Sequence, residues 1–265
     1  MEITKEEEKM FRNICDQMIG VEKTRVGIGT LGEKTIHVVL KHYLVPRTEY
    51  HEIKCNGFIA DIMIDGEIIE IQTANFNVLR KKLEVYLFEY EVTIVYPIPA
   101  IKWLIWINQE TGELTNRRKS NKRGRIGHIF PELYKIKTFL SNPRLHLRII
   151  MLEVEEYRLL SGWSLDRKKG STRFDRIPLK IMEDIMIDTV EEYKQFLPDS
   201  LPQQFISKEF SKSSGLSTKQ VQCALNVLTY VGILEKIGKQ GRSILYQIKE
   251  QKENSDEKIR RKGIE

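Results

Sequence analysis

The chain has 265 residues, 30% of them charged, with 43 Lys and Arg against 37 Asp and Glu for a formal net charge of +6. That length accommodates one medium or two small domains at ~100–200 residues each, and two are expected. No apolar run approaches the ~18–20 residues that cross a bilayer, and MEITKEEEKM lacks the basic-then-apolar layout of a signal peptide, so a soluble, cytoplasmic protein without membrane contact is expected. Cys15, Cys55 and Cys223 are isolated, with neither metal-site spacing nor a disulfide framework, and read as buried or incidental thiols.

Phe11, Ile14, Met18 and Ile19 recur at helical spacing over Lys5 to Ile19, and Glu6, Glu7 and Glu8 suit the first turn of that helix. Gly27, Gly29 and Gly32 make a loop; with no strand before it, a helix-entry turn is expected and not a nucleotide-binding loop. A second helix is predicted from about Gly32 to Leu44, with Ile36, Val39, Leu40 and Tyr43 on one face and Glu33 at its start. Tyr50 to Cys55 reads as a strand with His51 at its edge.

The stretch GFIADIMIDGEIIEIQTANF, Gly57 to Phe76, follows. Ile59 to Ile64 and Glu67 to Ile71 are apolar runs separated by Asp65-Gly66, the strongest short-range hairpin signal because both central residues tolerate positive φ. A two-residue turn pairs Ile64 with Glu67 and sets Asp61 opposite Glu70, with Gln72 on the same face. Opposed Cβ atoms lie about 4.5–5.5 Å apart, close enough for two carboxylates to share a hard cation such as Mg²⁺. A buried carboxylate without such a partner is costly.

This D-x8-E-x-Q hairpin resembles the PD-(D/E)xK phosphodiesterase superfamily, with Ala60 where the motif has Pro and Gln72 where Lys is usual. The resemblance implies a restriction endonuclease-like mixed central sheet flanked by helices. It also implies metal-dependent hydrolysis of DNA, with Mg²⁺ or Mn²⁺ held by Asp61, Glu70 and a backbone carbonyl near Ile71. Gln72 would orient water or phosphate, and Glu33 is the candidate for an additional carboxylate from the first core helix. An enzyme with one such centre that cuts both strands would act as a homodimer.

Thr73 and Asn75 are candidate N-caps for a helix carrying Phe76, Leu79, Leu83 and Tyr86. Val92 to Tyr96 reads as a strand ended by Pro97, reached by a parallel crossover, and Lys102 to Ile107 as a further strand whose Trp103 and Trp106 pack. Thr111-Gly112 makes a turn. Arg117, Arg118, Lys119, Lys122, Arg123 and Arg125 then form a basic cluster of the kind that neutralises phosphates without sequence preference. After a strand over Leu147 to Leu152 and a predicted helix around Glu155 to Leu160, Arg167, Lys168, Lys169, Arg173 and Arg176 form a second basic loop. The two loops are expected to wall one groove.

From Leu179 the character changes, which sets expected boundaries at 1–180, 181–248 and a charged tail, expected to be mobile, over 249–265. Phe205 to Phe210 begins a helix, Ser213-Ser214-Gly215 turns, and Ser217 with Gln220 forms a capping box for a helix carrying Val221, Ala224, Leu225, Leu228 and Val231. Leu234 to Ile237 and Ile244 to Ile248 flank the basic Gly238 to Arg242 turn. Helix, helix and hairpin resemble the winged-helix domain, which implies that the second helix enters the major groove. Ser217, Thr218, Lys219, Gln220 and Gln222 would then face DNA, and Lys239 and Arg242 its backbone. Winged helices also bind proteins, so two further readings stand beside the endonuclease: a DNA-binding protein that keeps the fold without cleaving, and an RNA-directed nuclease.

Overall fold

The computed structural model describes residues 3–25, 35–108, 110–160 and 172–249. Its elements in chain order are α1 (Lys5–Arg25), α2 (Thr35–Leu44), β1 (His51–Cys55), β2 (Phe58–Ile64), β3 (Glu67–Ile71), α3 (Arg80–Glu89), β4 (Glu91–Ile107), β5 (Arg118–Lys119), α4 (Phe130–Leu133), β6 (Leu145–Leu159), β7 (Thr172–Ile187), β8 (Gln204–Ile206), α5 (Ser207–Ser214), α6 (Thr218–Tyr230), β9 (Leu234–Gln240) and β10 (Ser243–Ile248). The order is that of a mixed α/β protein. A central sheet runs β1-β2-β3-β4-β6-β7 with β5 on β4, and a second sheet runs β8-β10-β9. β3 and β6 both pair parallel with β4, while the remaining partners are antiparallel. Among the described residues no helix is long and apolar enough to cross a membrane.

The parallel centre explains the sequence pattern there. Strands covered on both faces read as nearly continuous apolar runs, and Ile149, Ile150 and Leu152 of β6 are all fully buried. One face packs Phe11 and Cys15 of α1 and Ile36, Val39 and Leu40 of α2 against Ile62, Val95, Ile150, Leu152 and Val154. The other packs Leu79, Leu83 and Tyr86 against Ile94, Ile149 and Met151, and its core continues without a break into Phe205, Phe210, Val221 and Leu228 of the C-terminal helices. α1 opens on a reciprocal cap: Thr4 N–H donates to the Glu7 carboxylate at 2.8 Å, and Glu7 N–H to Thr4 Oγ1 at 3.2 Å.

Several expectations are corrected. The strand over Val92 to Tyr96 does not stop at Pro97, nor is Lys102 to Ile107 separate: β4 is one strand of 17 residues with a bulge between Pro99 and Ile101. Val95 faces β3, since its carbonyl accepts from Gln72 N–H at 2.9 Å. Residues alternate along a strand, so Pro97 and Pro99 face the same edge, where β3 has already ended and no N–H is required. The helix predicted around Glu155 to Leu160 is the end of β6. Its helix-favouring residues are overridden because β4 and β7 pair with it on both sides as far as Leu159.

Thr73 and Asn75 do not cap α3. Asn75 is left-handed at φ 59°, Phe76–Leu79 is a 3₁₀ turn, and Phe76 N–H donates to the Glu132 carboxylate of α4 at 2.7 Å. The cap comes from another element, which local sequence cannot reveal. Finally, Arg173 and Arg176 lie on strand β7 and not in a loop, and Phe205 pairs with Tyr246 in a strand before α5 begins. β7 also carries the central sheet through position 180 to Ile187.

The C-terminal unit is a helix pair backed by a three-stranded antiparallel sheet. Ser217 and Gln220 form the expected cap, with Ser217 N–H donating to Gln220 Oε1 at 3.0 Å. α6 buries Val221, Ala224, Leu225, Val227 and Leu228, more than one face, because it packs on α4 and the turn after it. Lys137 from that turn donates to Asn226 Oδ1 at 3.0 Å.

Candidate active site and cationic basin

The β2–β3 hairpin has the predicted register: Ile64 opposite Glu67, Met63 opposite Ile68 and Ile62 opposite Ile69. Asp65 and Gly66 take positive φ, 49° and 85°, as a two-residue hairpin turn demands. The ladder ends at Ile62 and Ile69, so the next rung outward falls at Asp61 and Glu70. Their carboxylates interact: the charge of Asp61 is felt at Glu70.

Each acid has a different partner. Asp61 Oδ2 lies 3.1 Å from His37 Nε2 of α2 and accepts the Ile71 N–H at 2.7 Å. Burial works to raise its pKa, but the hydrogen bond and charge of His37, then the Ile71 amide, hold it below the usual carboxylate value. Glu70 is 1% exposed, and both its oxygens accept from Lys82 Nζ of α3 at 2.8 Å. Burial, and then the charge of Asp61, push it up to about 7 against the pull of Lys82. Lys82 also donates to the carbonyl of Ile59 at 2.6 Å, which ties α3 to the strand that carries Asp61.

The Ile71 N–H is engaged by Asp61, and the backbone ligand expected near Ile71 is its carbonyl, a separate group. Gln72 is half-buried, and its described contact is the backbone bond to Val95. Glu33 lies outside the described residues. Lys82 and His37 were missed. Both had a helical signal: Lys82 sits among Leu79, Leu83 and Tyr86 and His37 beside Ile36 and Leu40, on or bordering the apolar faces that dock on the sheet.

Two observations bear on whether a metal fits. Among the described residues no three His, Cys, Asp or Glu side chains cluster to hold one. Magnesium, however, is usually bound by one or two carboxylates, with water and substrate phosphate completing the shell, and two hard carboxylates meet that demand. Beside them the Tyr86 hydroxyl, one turn along α3 from Lys82, is buried without a hydrogen-bond partner, and burial followed by the Glu70 charge pushes its ionisation up. A buried orphan hydroxyl next to two acids suits a site that takes in polar ligands.

A second charged region lies where β4, β5, β6 and β7 run on beyond the helices. Lys102, Arg118, Lys119, Lys122, Glu156 and Arg158 line a cavity of about 560 Å³. Glu156, 3% exposed, holds Arg158 Nε at 3.0 Å and Arg176 Nε at 2.9 Å. Arg173 and Arg176 in turn line a small cleft with Ile36 and Thr73, the residue after Gln72. The basic residues thus run from the end of β3 to β5. Arg117 is used internally: it pairs with Glu155 at 2.9 Å and lies 4.1 Å over the Trp103 ring. Trp103 and Trp106 are therefore stacking platforms for the cluster, with Arg118 5.4 Å over Trp106, and not packing residues alone.

Arg123 and Arg125 are exposed. The Arg125 guanidinium lies against the α5–α6 turn, where a Cβ added at Gly215 would come within 2.8 Å of its Cζ. Ser217, Thr218, Lys219 and Gln222 at the start of α6 are exposed, as are Lys239 and Arg242 on the β9–β10 hairpin; Gln220 instead spends its amide oxygen on the Ser217 cap. Lys168 and Lys169 lie outside the described residues.

A family described as "Domain of unknown function (DUF8091)" matches residues 34–188, which span α2 to the end of the central sheet. A protein of Treponema pallidum (strain Nichols), described as an uncharacterized protein, is 28% identical over 229 residues, 83% of this chain and 87% of its own length. No solved structure matches.

Proposed function

We propose that this chain, which belongs to the DUF8091 family, is a metal-dependent nuclease of the PD-(D/E)xK kind that hydrolyses phosphodiester bonds in DNA, with the C-terminal unit acting as a winged helix. The observation that carries this reading is the pair of carboxylates at the open end of the β2–β3 hairpin, with an ammonium 2.8 Å from Glu70. Asp61 and Glu70 would hold Mg²⁺ or Mn²⁺, which when bound polarises a phosphate and lowers the pKa of an attacking water. The chain's own groups do the rest. Lys82, reaching in from α3, supplies the ammonium that Gln72 cannot, and its hold on Glu70 opposes the burial and the Asp61 charge that push this acid up to about 7. His37 orients Asp61. The Gln72 amide is left to position water or a phosphate oxygen.

The cationic track from Arg173 to Lys122, and the exposed start of α6 beyond Arg125, support a nucleic-acid substrate through phosphate neutralisation. Cutting both strands from one centre would call for a homodimer. Cleavage of duplex, single-stranded and branched DNA in Mg²⁺ or Mn²⁺, lost in Asp61→Asn and Glu70→Gln, is the expected result. Intact substrates throughout would overturn the reading, and cleavage of matched RNA alone would move it to an RNA-directed nuclease. One observation favours a second reading, a DNA-binding protein without cleavage: Lys82 engages both oxygens of Glu70 and so already fills the place of a cation. Isothermal titration separates the two, since that reading expects no Mg²⁺ or Mn²⁺ binding.

A further inference from the structure

Lys102 is the starting point. It projects from the far half of β4 into the 560 Å³ cavity, and burial lowers its pKa. Among the described residues no carboxylate lies within ion-pair distance of its Nζ. A desolvated ammonium normally pairs or neutralises; here it is instead surrounded by further cations. Arg118, Lys119, Lys122 and Arg158 complete five basic side chains around one acid, Glu156. That acid is already spent on Arg158 and Arg176, so it fixes two guanidiniums and leaves the cavity strongly positive. The loop opposite Lys102 is held in place: Ser120 N–H donates to the Lys102 carbonyl at 2.8 Å, and Lys122 N–H to Ser120 Oγ at 3.2 Å.

The volume falls within the ~300–1,000 Å³ of small-ligand sites, whereas a duplex backbone lies across a surface and needs no recess. A phosphodiester brings one negative charge, and a phosphate monoester nearly two at neutral pH. We propose that this cavity is a phosphate-monoester site of nucleotide size, in which Lys102 and Lys122 grip a terminal phosphate. Its source is either the phosphorylated end of a nucleic-acid strand or a free mononucleotide. The strand-end source rests on the nuclease reading above, in which the basin would seat one end of the substrate while the carboxylates act elsewhere on it; the monoester site itself does not.

The test is a binding measurement on the full chain in EDTA, where cleavage plays no part. Fluorescence anisotropy compares one single-stranded DNA oligonucleotide carrying a 5′-phosphate, a 3′-phosphate or hydroxyls at both ends, with inorganic phosphate and deoxyadenosine 5′-monophosphate as competitors. One phosphorylated form should bind roughly tenfold tighter than the hydroxyl form, as about one added charge-assisted hydrogen bond gives. Lys102→Gln and Lys122→Gln should each erase that preference, and Lys122, on an exposed loop, carries the test if Lys102→Gln does not fold. Competition by the mononucleotide at the same concentration as the phosphorylated strand identifies the free nucleotide as the source; competition by the strand alone identifies the nucleic-acid end. Equal binding of all three oligonucleotides, or a preference that survives both substitutions, overturns the proposal. Cleavage in Mg²⁺, scored separately on the unsubstituted chain, tells a failure of the nuclease reading from a failure of this one.

Discussion

At the hairpin, Glu70 is 1% exposed and has both oxygens on Lys82; in the basin, Lys102 is half-buried and, among the described residues, has no ion-pair partner, the one acid lining its cavity, Glu156, being held by Arg158 and Arg176. Both regions belong to the same sheet, and β4 connects them. At the hairpin the buried charge is compensated from within, by Lys82 and His37 drawn from helices on opposite faces of the sheet. In the basin the one buried acid is outnumbered, and compensation is left to a ligand. An internally compensated site can fold before its cation arrives, whereas an uncompensated one gains most from binding.

The largest expected effect breaks the hairpin side. Asp61→Asn or Glu70→Gln should lower metal-dependent cleavage by roughly 10²- to 10³-fold or more, the scale on which single transition-state electrostatic contacts act, with phosphate binding in the basin unchanged. Single-turnover rates and anisotropy on the same preparations check both halves. Next, Lys82→Ala should cost roughly 10²-fold in rate and raise the Glu70 pKa further, moving the acidic limb of the pH–rate profile upward. An unaltered rate would remove Lys82 from the machinery.

A third effect follows from Glu70 itself, at about 7 in the fold against 4.5 as an ordinary carboxyl. The folded form binds the proton more tightly, so the stability this group contributes is fully present below pH ~4.5 and lost as the pH rises through about 7. A divalent cation competes with that proton. Saturating Mg²⁺ should therefore raise Tm more at pH 8 than at pH 5.5, by roughly 2–4 °C, what about 1 kcal/mol yields in a chain of this size; Glu70→Gln should flatten the difference in thermal-shift measurements. The smallest effect lies on the C-terminal unit. Lys239→Ala or Arg242→Ala should each reduce the salt dependence of DNA binding by about one unit of slope, a titration in NaCl that leaves monoester preference untouched.

Much of the hairpin was legible because its determinants are local. The Asp-Gly turn and the period-2 pattern fix register, and register alone carries Asp61 toward Glu70. The Ser217–Gln220 cap and the apolar stripe of α6 were legible for the same reason. β4 was not: Pro97 and Pro99 stop a strand unless the edge they face is empty, and that depends on where β3 ends. Nor was the end of β6, where EVEEYRL favours a helix in isolation and becomes a strand because β4 and β7 flank it. Nor was the contact of Trp103 with Arg117, which only the pairing of β5 on β4 brings over the ring.

The sequence by itself determined the short-range features: the turn, the pairing register, the two acids, the helix caps set by neighbouring residues, and the density of basic side chains near Arg117. The tertiary structure alone decided which cations meet which acids. Lys82 follows two other basic residues, Arg80 and Lys81, and only the docking of α3 on the sheet selects it for Glu70. Lys102 is one lysine among many, and only the convergence of β4, β5 and β6 leaves it half-buried and, among the described residues, without an ion-pair partner. Charge is a long-range quantity whose effect depends on burial and on partners distant in the chain, so composition can announce it but packing assigns it a role.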